Sequence, residues 1–67
     1  MYSIRMISFY ERKRGGISEP NIEEVLDIPE DRLINVMGKE LFAEMLSKGE
    51  ATKKLFNMYF IYQLIKE

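Results

Sequence analysis

Apolar residues dominate residues 55–65, where Asn57 and Gln63 are the polar interruptions. In a helix, with about 100° between neighbouring side chains, such a stretch points apolar groups in every direction. A single packing face cannot cover them, so either most of the remaining chain or a second polypeptide must do so. The pattern therefore predicts a central C-terminal helix with one side in the core and another side at a binding surface.

The N-terminal segment has two competing interpretations. Helical spacing separates its apolar residues, and three basic residues followed by Gly15 and Gly16 have the composition of a helix C-terminus. We therefore predict a helix over residues 2–10. The competing interpretation is a strand, because Tyr, Ile and Phe are good strand formers and the segment is short. A lone strand needs a partner, and the remaining candidate is residues 58–65.

The clearest helical periodicity lies in the middle of the chain. One apolar stripe comprises Leu33, Ile34, Met37, Leu41, Phe42, Met45 and Leu46. Gly49 follows Lys48 and is a natural C-terminal cap. Gly38 lies within the stripe, where it either allows another helix to approach closely or divides the segment into two shorter helices.

The segment before this stripe has the pattern of a DNA-binding motif. Its residues are Ile22, Val25, Leu26, Asp27, Ile28, Pro29, Leu33, Ile34 and Val36. Over about 16 residues the pattern resembles a helix-turn-helix, in which the second helix enters the major groove. The resemblance implies a helical corner over residues 21–37. It departs from the motif at the start of the second helix, where Glu30 and Asp31 precede Arg32 and would repel phosphates.

Composition narrows the class of protein. With 67 residues, 46% hydrophobic and 31% charged, the chain fits one small globular domain whose stability often needs support from oligomerisation. It contains no Cys and no His, which excludes disulfides, thiolate catalysis and triads that use histidine. We therefore expect a protein that is not an enzyme and has no cofactor and no metal site.

Charge is unevenly distributed although the net charge is −1. Basic residues outnumber acidic ones up to Gly16, whereas residues 17–31 carry six carboxylates and no base. Such a dipole is usually a solvated surface, and it can also orient a charged partner. The first residues lack the pattern of a secretory signal, and the apolar C-terminal stretch is shorter than the roughly 20 residues of a membrane-spanning helix. We expect a cytoplasmic location without membrane contact.

The predicted fold is all-α, a bundle of four or five short helices over residues 1–67 with a helix-turn-helix-like corner. The expected function is non-catalytic protein binding, by a small intracellular regulator or inhibitor that occupies a surface of a larger protein and is a candidate homodimer. The C-terminal aromatic residues are either core or interface, since both use the same residue types. The predicted protein interface consists of Phe56, Met58, Tyr59, Phe60, Tyr62 and Ile65.

The alternative function is a DNA-binding transcriptional regulator of the helix-turn-helix type. Its candidate nucleic-acid contacts are Arg12, Lys13, Arg14 and Arg32. The first three follow Phe9 and Tyr10, which have rings able to stack on bases. A net charge of −1 makes nucleic acid the less favoured partner, because nucleic-acid-binding domains usually carry a basic surface. The composition, free of Cys and rich in Ile, Lys, Glu and Met, is compatible with a bacterial or phage origin.

Overall fold

The structure, a computed structural model that describes residues 1–66, is an antiparallel sheet with two helices on one face. The elements are β1 (Tyr2–Tyr10), β2 (Asn21–Ile28), α1 (Glu30–Met37), α2 (Lys39–Lys48), β3 (Glu50–Leu55) and β4 (Met58–Lys66). The four strands lie in the order β2-β1-β4-β3, and neighbouring strands are antiparallel. The predicted all-α bundle is therefore wrong, because the described residues form a four-stranded sheet with two short helices.

The N-terminal and C-terminal segments pair with each other in the centre of the sheet. β1 and β4 run antiparallel from the Tyr10–Met58 pair to the Ser3–Lys66 pair. The helix predicted for residues 2–10 is wrong, and the competing strand interpretation, with residues 58–65 as its partner, is confirmed. The central C-terminal helix is wrong for the same reason. Both segments are rich in β-branched and aromatic residues, and pairing satisfies the backbone groups of each strand.

The helix-turn-helix-like corner is also wrong. Residues 21–28 form β2, paired with β1, and Pro29 precedes α1 in an extended conformation with φ −64° and ψ 150°. A β-bulge lies opposite Ser3, where Asp27 has a φ of +54° and its N–H donates to Ser3 Oγ at 3.2 Å. The first helix of the motif does not form because residues 21–28 pair with β1, and Val25 and Ile28 pack against the core from this strand. DNA binding by this corner loses its structural basis.

The helical prediction for the middle of the chain is confirmed, and Gly38 divides it into α1 and α2. Gly38 has φ +88° and ψ 155°, and its N–H donates to the carbonyl of Ile34 at 2.7 Å, which ends α1. Gly49 caps α2 as predicted, in the left-handed conformation, with its N–H donating to the carbonyl of Met45 at 2.8 Å. Both caps satisfy carbonyls that a helix end leaves unpaired.

The core lies between the helices and one face of the sheet. Its buried apolar residues are Ile4, Leu33, Met37, Phe42, Met45, Ala51 and Tyr62. Three of them come from the adjacent strands β1, β3 and β4, and Ala51 is the cross-strand partner of Tyr62. Tyr2 adds an edge-to-face contact with Phe42, with ring centroids 5.4 Å apart. The helices therefore pack over the part of the sheet that carries Ile4, Ala51 and Tyr62.

Truncating Leu33 tests this core. Its side chain is 0% exposed, so Leu33→Ala leaves a cavity among residues with little room to rearrange. We expect the free energy of unfolding, measured by urea titration with circular dichroism, to fall by about 2–5 kcal/mol. Val36→Ala in the same helix is the control, since Val36 is 56% exposed and should lose less than about 1 kcal/mol. Equal losses in the two variants would contradict the placement of the core.

Candidate functional site

The face of the sheet turned away from the helices is covered by no other element within residues 1–66. Side chains alternate along a strand, so the residues that flank the core positions lie on this second face, which we call the open face. None of these residues is buried. The open face comprises Arg5, Ile7 and Phe9 of β1, Ile22 and Glu24 of β2, Glu50, Thr52 and Lys54 of β3, and Tyr59, Ile61 and Gln63 of β4.

An aliphatic row crosses the middle of the open face. Ile7 is the cross-strand partner of both Ile22 and Ile61, and Ile61 is also paired with Thr52. We call Ile22, Ile7 and Ile61 the isoleucine row. An antiparallel sheet with one covered face usually presents polar residues on the other, so that it can face water. Three adjacent isoleucines on the uncovered face depart from that pattern and form a continuous apolar surface.

An aromatic row lies beside the isoleucine row, nearer the turn between β3 and β4. Phe9 and Tyr59 are cross-strand partners whose rings stack, with centroids 5.0 Å apart and planes 16° from parallel. Lys54 is paired with Tyr59 and places Nζ 5.2 Å from the centre of its ring. The Tyr59 hydroxyl donates to Glu11 Oε2 at 3.4 Å. This aromatic row, Phe9, Tyr59 and Lys54, combines a rigid apolar surface with one cation.

A polar row lies on the other side of the isoleucine row. Arg5 contacts Glu24 through Nη2 at 3.0 Å and Nε at 3.2 Å from the same carboxylate oxygen. Gln63 lies between Arg5 and Glu50 in the register. The Arg5–Glu24 pair is exposed to water and adds little stability. Within residues 1–66, neither Glu50 of this polar row nor Lys54 of the aromatic row forms an ion pair.

The predicted protein interface is distributed over both faces of the sheet and one turn. Tyr59 lies on the open face, whereas Tyr62 is buried in the core and Phe60 packs against it from the same face of β4. Met58 is half-buried, Ile65 is exposed near the end of β4, and Phe56 is exposed in the β3–β4 turn. The six residues therefore form no single contact surface, because alternation along a strand separates neighbours in the sequence.

The isoleucine row was not identified from the sequence. Ile7, Ile22 and Ile61 lie in segments for which helices were predicted. Alternation along the strands was a weak signal, because apolar residues occupy both alternating sets of positions in β1 and β4. The register of the sheet brings these residues together, and no local pattern in the sequence encodes that register.

Phe56 occupies an unfavourable position in the two-residue turn between β3 and β4. Its φ of +56° lies in the left-handed region, where such turns usually have Gly, Asn or Asp. Its side chain is 89% exposed, so burial does not offset the strain. The adjacent Asn57 ties the turn to the end of β1, accepting the Glu11 N–H at 2.8 Å and donating Nδ2 to the Glu11 carbonyl at 3.2 Å. An exposed aromatic ring held in this conformation is a candidate contact residue.

The candidate nucleic-acid contacts do not form one cluster. Arg12, Lys13 and Arg14 are exposed in the loop between β1 and β2, whereas Arg32 is exposed on α1. The hydrogen bonds of Glu11 with Asn57 bring the basic loop next to the turn that carries Phe56. The Glu11 carboxylate beside Tyr59 places a negative charge next to the aromatic row, where a phosphate backbone would be repelled.

Tyr62 borders a cavity of about 210 Å³ on the helix side of the sheet, together with Met6, Phe60, Asn21 and Glu23. Burial raises the pKa of the Tyr62 hydroxyl above its ordinary value of 10.0. No group of acidic side chains in residues 1–66 is arranged to hold a metal ion. Neither helix in the described part of the chain has the length and apolarity needed to span a membrane.

Comparison with protein-family models, with curated proteins and with solved structures finds no match.

Ionisation of Tyr62 should destabilise the fold at alkaline pH. Burial disfavours tyrosinate, so the pKa in the folded state exceeds the unfolded value of 10.0 and the unfolded chain loses its proton first. The free energy of unfolding then falls as the pH rises from the unfolded towards the folded pKa, by up to about 1.4 kcal/mol per pH unit. We expect Tyr62→Phe to show a shallower alkaline decline in denaturant titrations. An unchanged decline would contradict this pKa direction.

Replacing Phe56 should leave the fold intact. Phe56→Gly relieves the left-handed strain and loses no buried surface, while glycine adds entropy to the unfolded chain. We expect the free energy of unfolding to change by less than about 1 kcal/mol. Thermal and urea unfolding measure this change, and Phe42→Ala is the contrast, since Phe42 is buried in the core and should lose about 3–5 kcal/mol. A comparable loss for Phe56→Gly would assign the ring a structural role.

Proposed function

We propose that the protein is a non-catalytic protein-binding module whose contact surface is the open face, and that it acts as a small regulator or inhibitor by occupying a surface of a larger protein. The observation that carries the proposal is the isoleucine row. Threonine forms strands as readily as isoleucine, and Thr52 occupies the position next to Ile61. Threonine at the three positions of the row would therefore face water at a lower cost in free energy than isoleucine does.

Burial of the isoleucine row supplies a driving force for association. Ile22 is 57% exposed, and Ile7 and Ile61 are half-buried by their neighbours in the sheet. Fully burying an isoleucine is worth about 1.5–3 kcal/mol, so covering the remaining exposed surface of the row yields on the order of 1 kcal/mol per side chain. That gain is realised only when another apolar surface displaces water from the row.

The flanking rows supply orientation and specificity. Phe9 and Tyr59 are stacked rings that lose little conformational freedom on binding, as expected of anchoring residues. Lys54 and Glu50 lie on opposite sides of the isoleucine row and present opposite charges. A partner with the complementary arrangement of charges is favoured in one orientation, because every other orientation would place like charges against each other.

The size of the open face fits a transient contact. The four strands lie about 4.8 Å apart, and the three rows that cross them are separated by two residues, or about 7 Å, along each strand. These spacings give the open face a planar area on the order of 400 Å². Stable interfaces of standard size bury about 800 Å² of accessible surface on each partner, so this face is smaller than a standard interface and falls in the range of weak, transient contacts. A regulator that binds and dissociates is compatible with that area, whereas a permanent subunit contact usually buries more.

Capture experiments with matched variants test the proposal. Tagged wild-type protein, Ile7→Thr/Ile61→Thr and Val36→Thr are incubated with lysate of the source cell, with and without nuclease, and bound proteins are quantified by mass spectrometry. We expect the double variant to capture a stoichiometric partner at least about tenfold less, because it removes apolar contact from two strands of the row while keeping strand propensity.

Val36→Thr is the control, since Val36 is 56% exposed on α1, away from the open face, and its replacement by the same residue type should leave capture as in wild type. Circular dichroism establishes that all three proteins are folded. Equal capture by the double variant would show that the open face is not the contact surface. A signal that disappears after nuclease treatment would instead indicate nucleic acid as the partner.

A further inference from the structure

We propose that a second copy of this chain also occupies the open face, with two open faces packed against each other about a two-fold axis that runs along the isoleucine row. This inference rests on the proposed function, because it assigns the same surface. The second copy and the larger protein then compete for one face, and self-association keeps the isoleucines out of water until the partner is present.

The apolar residues match under this symmetry. The two-fold axis runs along the row, midway between two sheets that are about 10 Å apart. Each isoleucine of one copy therefore faces the same isoleucine of the second copy. Each strand then lies over its own counterpart with reversed direction. A two-fold contact uses the same patch on both copies, so a self-complementary surface is required. The isoleucine row meets this requirement because it lies on the axis and packs against itself.

The charges also match. Rotation about the isoleucine row exchanges the two flanking rows, so that the aromatic row of one copy faces the polar row of the other. On β3, Lys54 then faces Glu50 of the second copy, and the symmetry produces this pair twice. On β1, Phe9 faces Arg5 of the second copy, an arrangement suited to a cation–π contact. Lys54 and Glu50 have no ion-pair partner within residues 1–66 and can accept these contacts.

The same charges disfavour the other simple arrangement of the two faces. With the axis parallel to the strands, β2 would lie over β3, and Glu24 would face Glu50 of the second copy. Like charges in a desolvated contact oppose association. Ile22 would also face Thr52 rather than another isoleucine. The axis along the isoleucine row avoids both losses.

Pairing of free strand edges is a poorer route to a dimer. Two β2 edges would bring Glu23 and Glu24 against the same residues of the second copy, and like charges across paired strands are destabilising. The bulge at Asp27 further disrupts the regular backbone that edge pairing needs. The face therefore offers the more favourable contact.

Sedimentation velocity over protein concentrations from about 1 µM to about 1 mM tests the arrangement. We expect the wild-type chain of 8.0 kDa to shift to a species of twice that mass as concentration rises. Lys54→Glu and Glu50→Lys should each raise the dimer Kd at least about tenfold, because each places like charges in contact twice. The combined Lys54→Glu/Glu50→Lys variant restores opposite charges and should return within about threefold of the wild-type Kd.

Lys53→Glu is the matched control, since Lys53 is the neighbour of Lys54 on the other face of β3 and its substitution should leave the Kd unchanged. Urea titration of every variant separates lost association from lost folding. A monomer at all concentrations, single reversals without effect, an equal effect of Lys53→Glu, an unrestored double variant or a growing series of larger oligomers would each overturn the dimer. Capture of a larger protein that still depends on Ile7 and Ile61 would leave the proposed function standing in each case.

Discussion

The antiparallel pairing of β1 with β4 is the interaction on which the rest of the structure depends. It joins segments from opposite ends of the chain and places the two locally formed strand pairs, β1–β2 and β3–β4, side by side in one sheet. A two-stranded hairpin is only marginally stable alone, so each pair needs the other. Ile4 and Tyr62, one from each central strand, then supply the floor of the core on which the helices pack. The entropy lost in closing so long a loop is offset by that shared core.

The size of the helical layer determines what the sheet leaves uncovered. α1 and α2 have 8 and 10 residues, hence lengths of about 12–15 Å, and each is about 10 Å wide. Together they cover only part of one face of the sheet, because its nine-residue central strands are about 30 Å long. The central strands nevertheless carry apolar residues on both faces, with Ile4 towards the helices and Ile7 away from them. The open face follows from this excess of apolar strand surface over helical cover.

The sequence predicted the parts of the fold whose signals are local. The stripe from Leu33 to Met45 and the cap at Gly49 identify helical structure because both depend on residues within a few turns of each other. The terminal segments were misassigned because strands with two apolar faces lack the alternation that distinguishes them from buried helices. The candidate site was even harder to predict from the sequence, because the isoleucine row takes one residue from each of three strands. The register that aligns these residues is a property of the whole sheet. Tyr59 was identified because it lies within the conspicuous apolar stretch itself.

Residues 55–65 need cover from outside their own element as a strand as well, because β4 carries apolar residues on both of its faces. The exposed edges and the exposed face of the sheet also differ in composition. The outer strand β2 carries Glu23, Glu24 and a bulge at Asp27, devices that prevent unwanted strand pairing, and β3 carries Lys53 and Lys54. The open face has comparable access to water but keeps aliphatic residues at its centre. Protection of the edges together with an apolar face is expected of a sheet that avoids open-ended association and reserves one surface for a specific contact.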